Sequence, residues 1–137
     1  MKKTLIIILS LVLCLSCAAC GADPLTKACT EADALVSQWH KEAYGGCIYK
    51  GEYIEQQDGY KVSMYVVSAR YPSYIDNEAS ATFVKNLAVG RLRDELYPQL
   101  REVFKDLDVS VAFILSDERG NNTYCTILDG EIEYMKK

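Results

Sequence analysis

Apolar positions along the chain recur with two different periods, and the switches between them mark the elements. Leu35, Val36, Trp39 and Ala43 fall on one helical face, and Gly45-Gly46 ends the pattern. Thr30 and Asp33 resemble a capping box, so the spacing predicts a helix from Glu31 to Tyr44. The period then becomes two. Cys47 to Glu55 and Tyr60 to Ala69 read as strands joined by Gln56-Gln57-Asp58-Gly59, a hairpin turn signal. After the loop Arg70 to Ile75, Asp76 or Asn77 can cap a long helix. Phe83, Leu87, Ala88, Leu92, Leu96, Leu100, Val103 and Leu107 form its apolar stripe. Pro98 lacks an amide hydrogen and crowds the preceding turn, which predicts a kink or break near Tyr97. Val109, Val111, Phe113 and Leu115 alternate with Ser110, Ala112, Ile114 and Ser116. The stretch Asp117 to Asn122 turns, and Thr123 to Leu128 returns with Cys125 and Ile127 on one face. Asp129-Gly130 turns again, and Ile132 and Tyr134 suit a short last strand.

The expected fold class is therefore α+β. It comprises two helix–hairpin units forming an antiparallel sheet of four to five strands, with helices packed on one face. The halves align at an offset of 61 residues (Leu35-Gln38-Trp39 with Leu96-Gln99-Leu100), but the identities are too few to carry a duplication. With no low-complexity stretch or internal linker, residues 30–137 read as one domain.

Residues 1–20, MKKTLIIILSLVLCLSCAAC, have another character. Lys2 and Lys3 precede an uncharged apolar run of about 15 residues, short of the roughly 20 that a spanning helix needs. This is the shape of an export signal. Its end, Cys17-Ala18-Ala19-Cys20-Gly21, resembles the lipobox of bacterial prolipoproteins, with Cys17 where Leu is usual. The resemblance implies a leader at 1–19, acylation of Cys20 and anchoring in the membrane by lipid. Cys17, preceded by Leu15-Ser16, is the second candidate acceptor. Residues 20–29 would then be the acylated Cys and a short linker. Cys14, Cys17 and Cys20 also have iron–sulfur spacing, but their apolar export context and the missing fourth Cys-Pro argue against a cluster.

Apolar residues make up 50% of the 137, ample for a core. Nineteen acidic against fifteen basic residues argue against a nucleic-acid partner, and a single His removes metal sites that need two. Losing Lys2 and Lys3 with the leader takes the net charge from −4 to −6, so lipid rather than a basic patch must hold the domain at an anionic bilayer.

Candidate chemistry is sparse. Cys29, Cys47 and Cys125 remain beyond the leader, and Cys47 with Cys125 is the first choice for a disulfide, since both fall on inward strand faces. Cys47 is also the one thiol that could approach His40 as a nucleophile–base pair. The paired carboxylates sit at helix ends and turns, where acidic residues are usually solvated. Neither a calcium loop, a phosphate loop nor a nucleophile elbow occurs. The distinctive feature is ten tyrosines. Most suit the core or sheet edges, but Tyr65, Ile114 and Tyr124 should point away from the helices, framed by Lys50, Lys61, Ser63 and Thr126. That face is one expected partner-binding surface. The loop carrying Tyr71 and Tyr74 is a second.

The expectation is a lipid-anchored, exported domain without cofactor or metal that binds another envelope or extracellular protein and catalyses nothing. The rivals are a self-assembling structural module and a small enzyme using Cys47 with His40.

Overall fold

The computed structural model describes residues 21–43, 47–66 and 78–136. Helix α1 (Pro24–Ala43) leads into strands β1 (Cys47–Ile54) and β2 (Gly59–Val66), joined by a 3-10 turn at Glu55–Gln57. Three consecutive helical segments follow: α2 (Glu78–Lys85), a π-helical stretch (Asn86–Leu96) and α3 (Tyr97–Val103). Strands β3 (Ser110–Asp117), β4 (Thr123–Leu128) and β5 (Glu131–Met135) complete the chain. The class is α+β, as the alternating periods indicate.

The sheet is mixed, which corrects the all-antiparallel expectation. Its strands lie in chain order, with three antiparallel pairs and one parallel pair, β2 with β3 (Gly59 opposite Ser110, Val66 opposite Asp117). The reason is the helical crossover. It returns the chain from the end of β2 to the end where β2 began, so β3 must run alongside β2 in the same sense.

Helix α1 starts earlier than the capping box suggests. Asp23 caps it, its carboxylate accepting from Thr26 N–H at 3.3 Å, and Pro24 occupies the first turn, where its missing N–H costs nothing. Thr30 lies inside the helix, and its hydroxyl donates to the Thr26 carbonyl oxygen at 2.9 Å. Of the expected linker, residues 24–29 are therefore helical.

Winding in the crossover follows its apolar spacing. Val84, Ala88, Leu92, Leu96, Leu100 and Phe104 are four residues apart and all at most 2% exposed. On a helix of 3.6 residues per turn, each such step drifts ~40°, so six positions would spread over about half the circumference or more. The wider i→i+5 winding, with more than four residues per turn, drifts the other way and keeps them on one side. Tyr97 N–H accordingly donates to the Leu92 carbonyl, five residues back. The interruption expected at Pro98 is this change of winding: α3 begins at Tyr97 with Pro98 in its first turn.

The helices cover one sheet face. Ala28, Ala32, Val36 and Trp39 from α1 join the crossover stripe over Tyr60, Val62, Met64, Val111, Phe113, Leu115, Cys125 and Ile127. Tyr60, 1% exposed, packs its ring 5.3 Å from Phe104 and donates its hydroxyl to Asp33 of α1. Burial first, then this bond, holds that hydroxyl protonated far above the usual tyrosine range. Gly51 makes the bond possible: a Cβ there would lie 2.9 Å from Asp33 Oδ1 and 3.1 Å from Tyr60 Cζ. In contrast, a Cβ on Gly90 in the π stretch meets nothing within 4 Å. Gly51→Ala should therefore cost ~1–3 kcal/mol by overpacking. Gly90→Ala should gain ~0.5–1 kcal/mol by narrowing the unfolded ensemble. Urea denaturation midpoints check both signs.

Candidate functional site

Strand alternation and register define the uncovered sheet face. Cys47, Tyr49 and Gly51 of β1 face the helices, so Ile48, Lys50 and Glu52 face away. Their cross-strand neighbours continue the face in rows. Ile48 stands opposite Tyr65, and Tyr65 opposite Ser116. Lys50, Ser63, Ile114, Thr126 and Tyr134 form a second row across all five strands. Glu52, Lys61, Ala112, Leu128 and Glu131 form a third. Among the described residues no helix packs on this side. Ile48 (59%), Tyr134 (47%) and Leu128 (41%) are three of the four large apolar residues left exposed among the described residues.

The expected surface is thus brought together in part. Tyr65 and Ile114 are half-buried members of it, and Lys50 and Lys61 are present in its rows. Tyr124 is a correction: it is only 2% exposed. The β3–β4 register shifts between Leu115 and Ser116, pairing Cys125 with Leu115 and Thr123 with Ser116, so Tyr124 is the extra residue of a bulge. The Lys136 ammonium lies 5.7 Å from its ring centroid. Tyr71 and Tyr74 lie outside the described residues. Three members were missed in the sequence: Ile48, Leu128 and Tyr134. Alternation alone marks Ile48 and Leu128, but only the register puts Tyr134 in line with Ile114.

The two lysines do not form a free basic patch. Glu52 pairs with Lys50 on its own strand and with Lys61 across it at 2.8 Å. Hydrogen bonds from Lys50 and Lys61 hold the Glu52 carboxyl down at about 2. At the centre of the face Tyr65 and Ile114 lie among the hydroxyl residues Ser63, Ser116 and Thr126, of which Ser63 and Ser116 are buried.

The alternative chemistries separate in space. Strand order puts β2 and β3 between Cys47 and Cys125, roughly 14 Å at ~4.8 Å per strand, beyond any disulfide span. The expected disulfide is therefore corrected: Cys29, Cys47 and Cys125 are free thiols. Cys47 and Cys125 are buried, and burial raises both, Cys125 to about 11. His40 is engaged by backbone rather than sulfur, with Nε2 2.5 Å from the Cys47 carbonyl oxygen and its ring 4.7 Å from Tyr49. A buried, protonated thiol beside an occupied imidazole is a poor nucleophile.

Elsewhere, a shallow groove of about 660 Å³ lies between α1 and α3, floored by Leu35, Pro98 and Val103 and rimmed by Glu31, Glu102 and Lys105. Lys105 is taken by Glu102 at 2.6 Å, so no set of free polar groups converges there. Among the described residues no three metal-ligating side chains cluster, and no helix is long and apolar enough to cross a membrane.

Two outcomes follow from this geometry. In the native protein Cys47 and Cys125 should resist a thiol reagent at neutral pH and react fully only after denaturation, as mass analysis of labelled peptides would record. For Glu52 the folded carboxyl lies below its unfolded value of 4.5, so its contribution is complete above that pH and fades as pH falls toward about 2. Glu52→Gln should flatten that limb of a stability–pH curve, and salt should shrink the difference because the group is partly open to solvent.

Compared with known proteins, the chain matches no family model, no curated sequence and no solved structure.

Proposed function

We propose that this chain is an exported, lipid-anchored envelope protein whose α+β domain is a non-catalytic binding module, and that the uncovered sheet face is its docking surface. The observation that carries the reading is the composition of that face. A five-stranded surface keeps Ile48, Leu128 and Tyr134 in solvent around Tyr65 and Ile114, while Glu52 pairs with both of its lysines and Glu131 lies at the far edge. Apolar area in a charge-balanced frame suits a protein surface. It does not suit a polyanion, which needs unpaired cations. Anchoring is supported by the leader, with Cys20 as acceptor and lipid as the membrane attachment. No residue set described above combines a nucleophile, a base and an orienting group.

Two measurements on the full chain in its native cell test this. Intact mass should show a chain starting at Cys20 with acyl groups attached; a soluble chain starting at Met1 would end the anchoring half. A photoreactive residue at Ile114 should yield protein adducts on irradiation, whereas one at Gln99 on α3 should not. Adducts from Gln99 alone would sink the docking surface.

A further inference from the structure

We infer that the open edge of β1 pairs with β1 of a second copy, antiparallel, about a two-fold axis normal to the sheet at Gly51. The inference concerns the edge of the sheet rather than its uncovered face, and it does not depend on acylation of Cys20.

Strand order leaves β1 and β5 as the two edges. Edges are normally blunted by shortness, bulges or charge. Strand β5 has all three: it is five residues long, its register breaks against β4, and Glu131 and Glu133 stand exposed on it. Strand β1 is eight residues long, holds an unbroken register against β2 and carries no proline.

The backbone of β1 presents its outward groups at alternate residues. Ser110 N–H donates to the Asp58 carbonyl at 3.0 Å, so the Asp58–Gly59 peptide aims its oxygen at β3 and its N–H at β1. Gly59 faces Ile54, and alternation then fixes the rest. Ile48, Lys50, Glu52 and Ile54 bond to β2, while Tyr49, Gly51 and Tyr53 aim N–H and C=O at the open edge. Cys47 obeys the same rule, and its outward carbonyl is already taken by His40 of α1, which closes the ladder there.

The residues along that edge match themselves in reverse. Ile48-Tyr49-Lys50-Gly51-Glu52-Tyr53-Ile54 reads the same from either end, except that Lys and Glu exchange places. A two-fold at Gly51 sets Gly51 against its own counterpart and Tyr49 against the partner's Tyr53. It sets Lys50 against the partner's Glu52, and Ile48 against the partner's Ile54. Opposite residues share a sheet face, as antiparallel pairing requires. Gly51 and the tyrosines belong to the outward set, so these pairs exchange the backbone bonds. Moving the axis one residue either way would set Lys50 against Lys50 or Glu52 against Glu52. Charge therefore selects this register and a second copy as the occupant. Ile48, the most exposed large apolar side chain among the described residues, gains the partner's Ile54 as cover. On the helical face Tyr49 and Tyr53 are half-buried, with Tyr49 against His40, and they close on the partner's pair. Main-chain bonds supply the affinity and these side chains the specificity.

An axis normal to the sheet keeps both helical layers on one side. Both α1 starts can then reach one bilayer, and the two uncovered faces become one continuous surface.

The test co-expresses two full chains with tags of different length, both Cys29→Ala, one with Lys50→Cys and the other with Glu52→Cys. Mild oxidation of freshly broken cells should trap the mixed disulfide about ten-fold above either like pair, because only opposite residues lie within disulfide reach. Lys50 and its own counterpart would be diagonal neighbours at ~7–8 Å. Adding Tyr53→Pro to both chains removes one outward N–H and leaves the bonds to β2, so the mixed yield should fall about ten-fold. Cys125 should stay unlabelled by a thiol reagent in that variant, reporting an intact fold. Equal mixed and like yields overturn the pairing, and so does an equal yield from Gln99→Cys chains. An undiminished yield from Tyr53→Pro with Cys125 protected overturns it as well. Should Cys125 become reactive there, the ratio of mixed to like species without Tyr53→Pro decides alone.

Discussion

The four-residue apolar repeat of the crossover is the constraint on which the rest of the structure depends. Val84 through Phe104 must all face the sheet, and a straight α-helix cannot hold that spacing on one side. The π winding of Asn86–Leu96 resolves the mismatch and carries a continuous stripe along the inner face. That stripe ends at Phe104, against which Tyr60 packs, and Tyr60 in turn ties α1 to the sheet through Asp33. With one side of the sheet so fully committed, the contacts left to it lie on the other side and along the edge strands β1 and β5.

Most elements were legible in the pattern of residues, because local periodicity is a local signal. Period-two runs such as Val109 to Leu115 have one reading once a turn such as Asp117 to Asn122 follows. The parallel β2–β3 junction was not legible. Hairpins announce their own partners, but nothing in β2 or β3 states which strand lies on the far side. The start of α1 illustrates two competing signals: Thr30 with Asp33 suggested one cap, yet Asp23-Pro24 prevailed because Ala28 and the turn before it also pack on the core.

The candidate surface was readable to the extent that alternation is unbroken. Tyr65 and Ile114 lie where strict alternation places them. Tyr124 does not behave as expected, because one extra residue changes the count and no feature of Thr123-Tyr124-Cys125 declares a bulge. The Cys47–Cys125 pairing failed for a topological reason. Sharing an inward face says nothing about how many strands intervene.

The central junction also shapes how the chain reaches this state. Each hairpin closes over a short loop, and their strands meet neighbours a few residues away. The β2–β3 seam instead joins Gly59 to Ser110 across some fifty residues, so the entropy of closing that long loop is spent before either half gains the other's cover. Assembly should therefore be limited by a late docking event rather than by forming the hairpins. Neither half is a self-sufficient folding unit: β1 and β2 without the crossover would expose Tyr60, Val62 and Met64 together. A nascent chain emerging N-terminus first must wait, aggregation-exposed, until β3 is available to zip against β2.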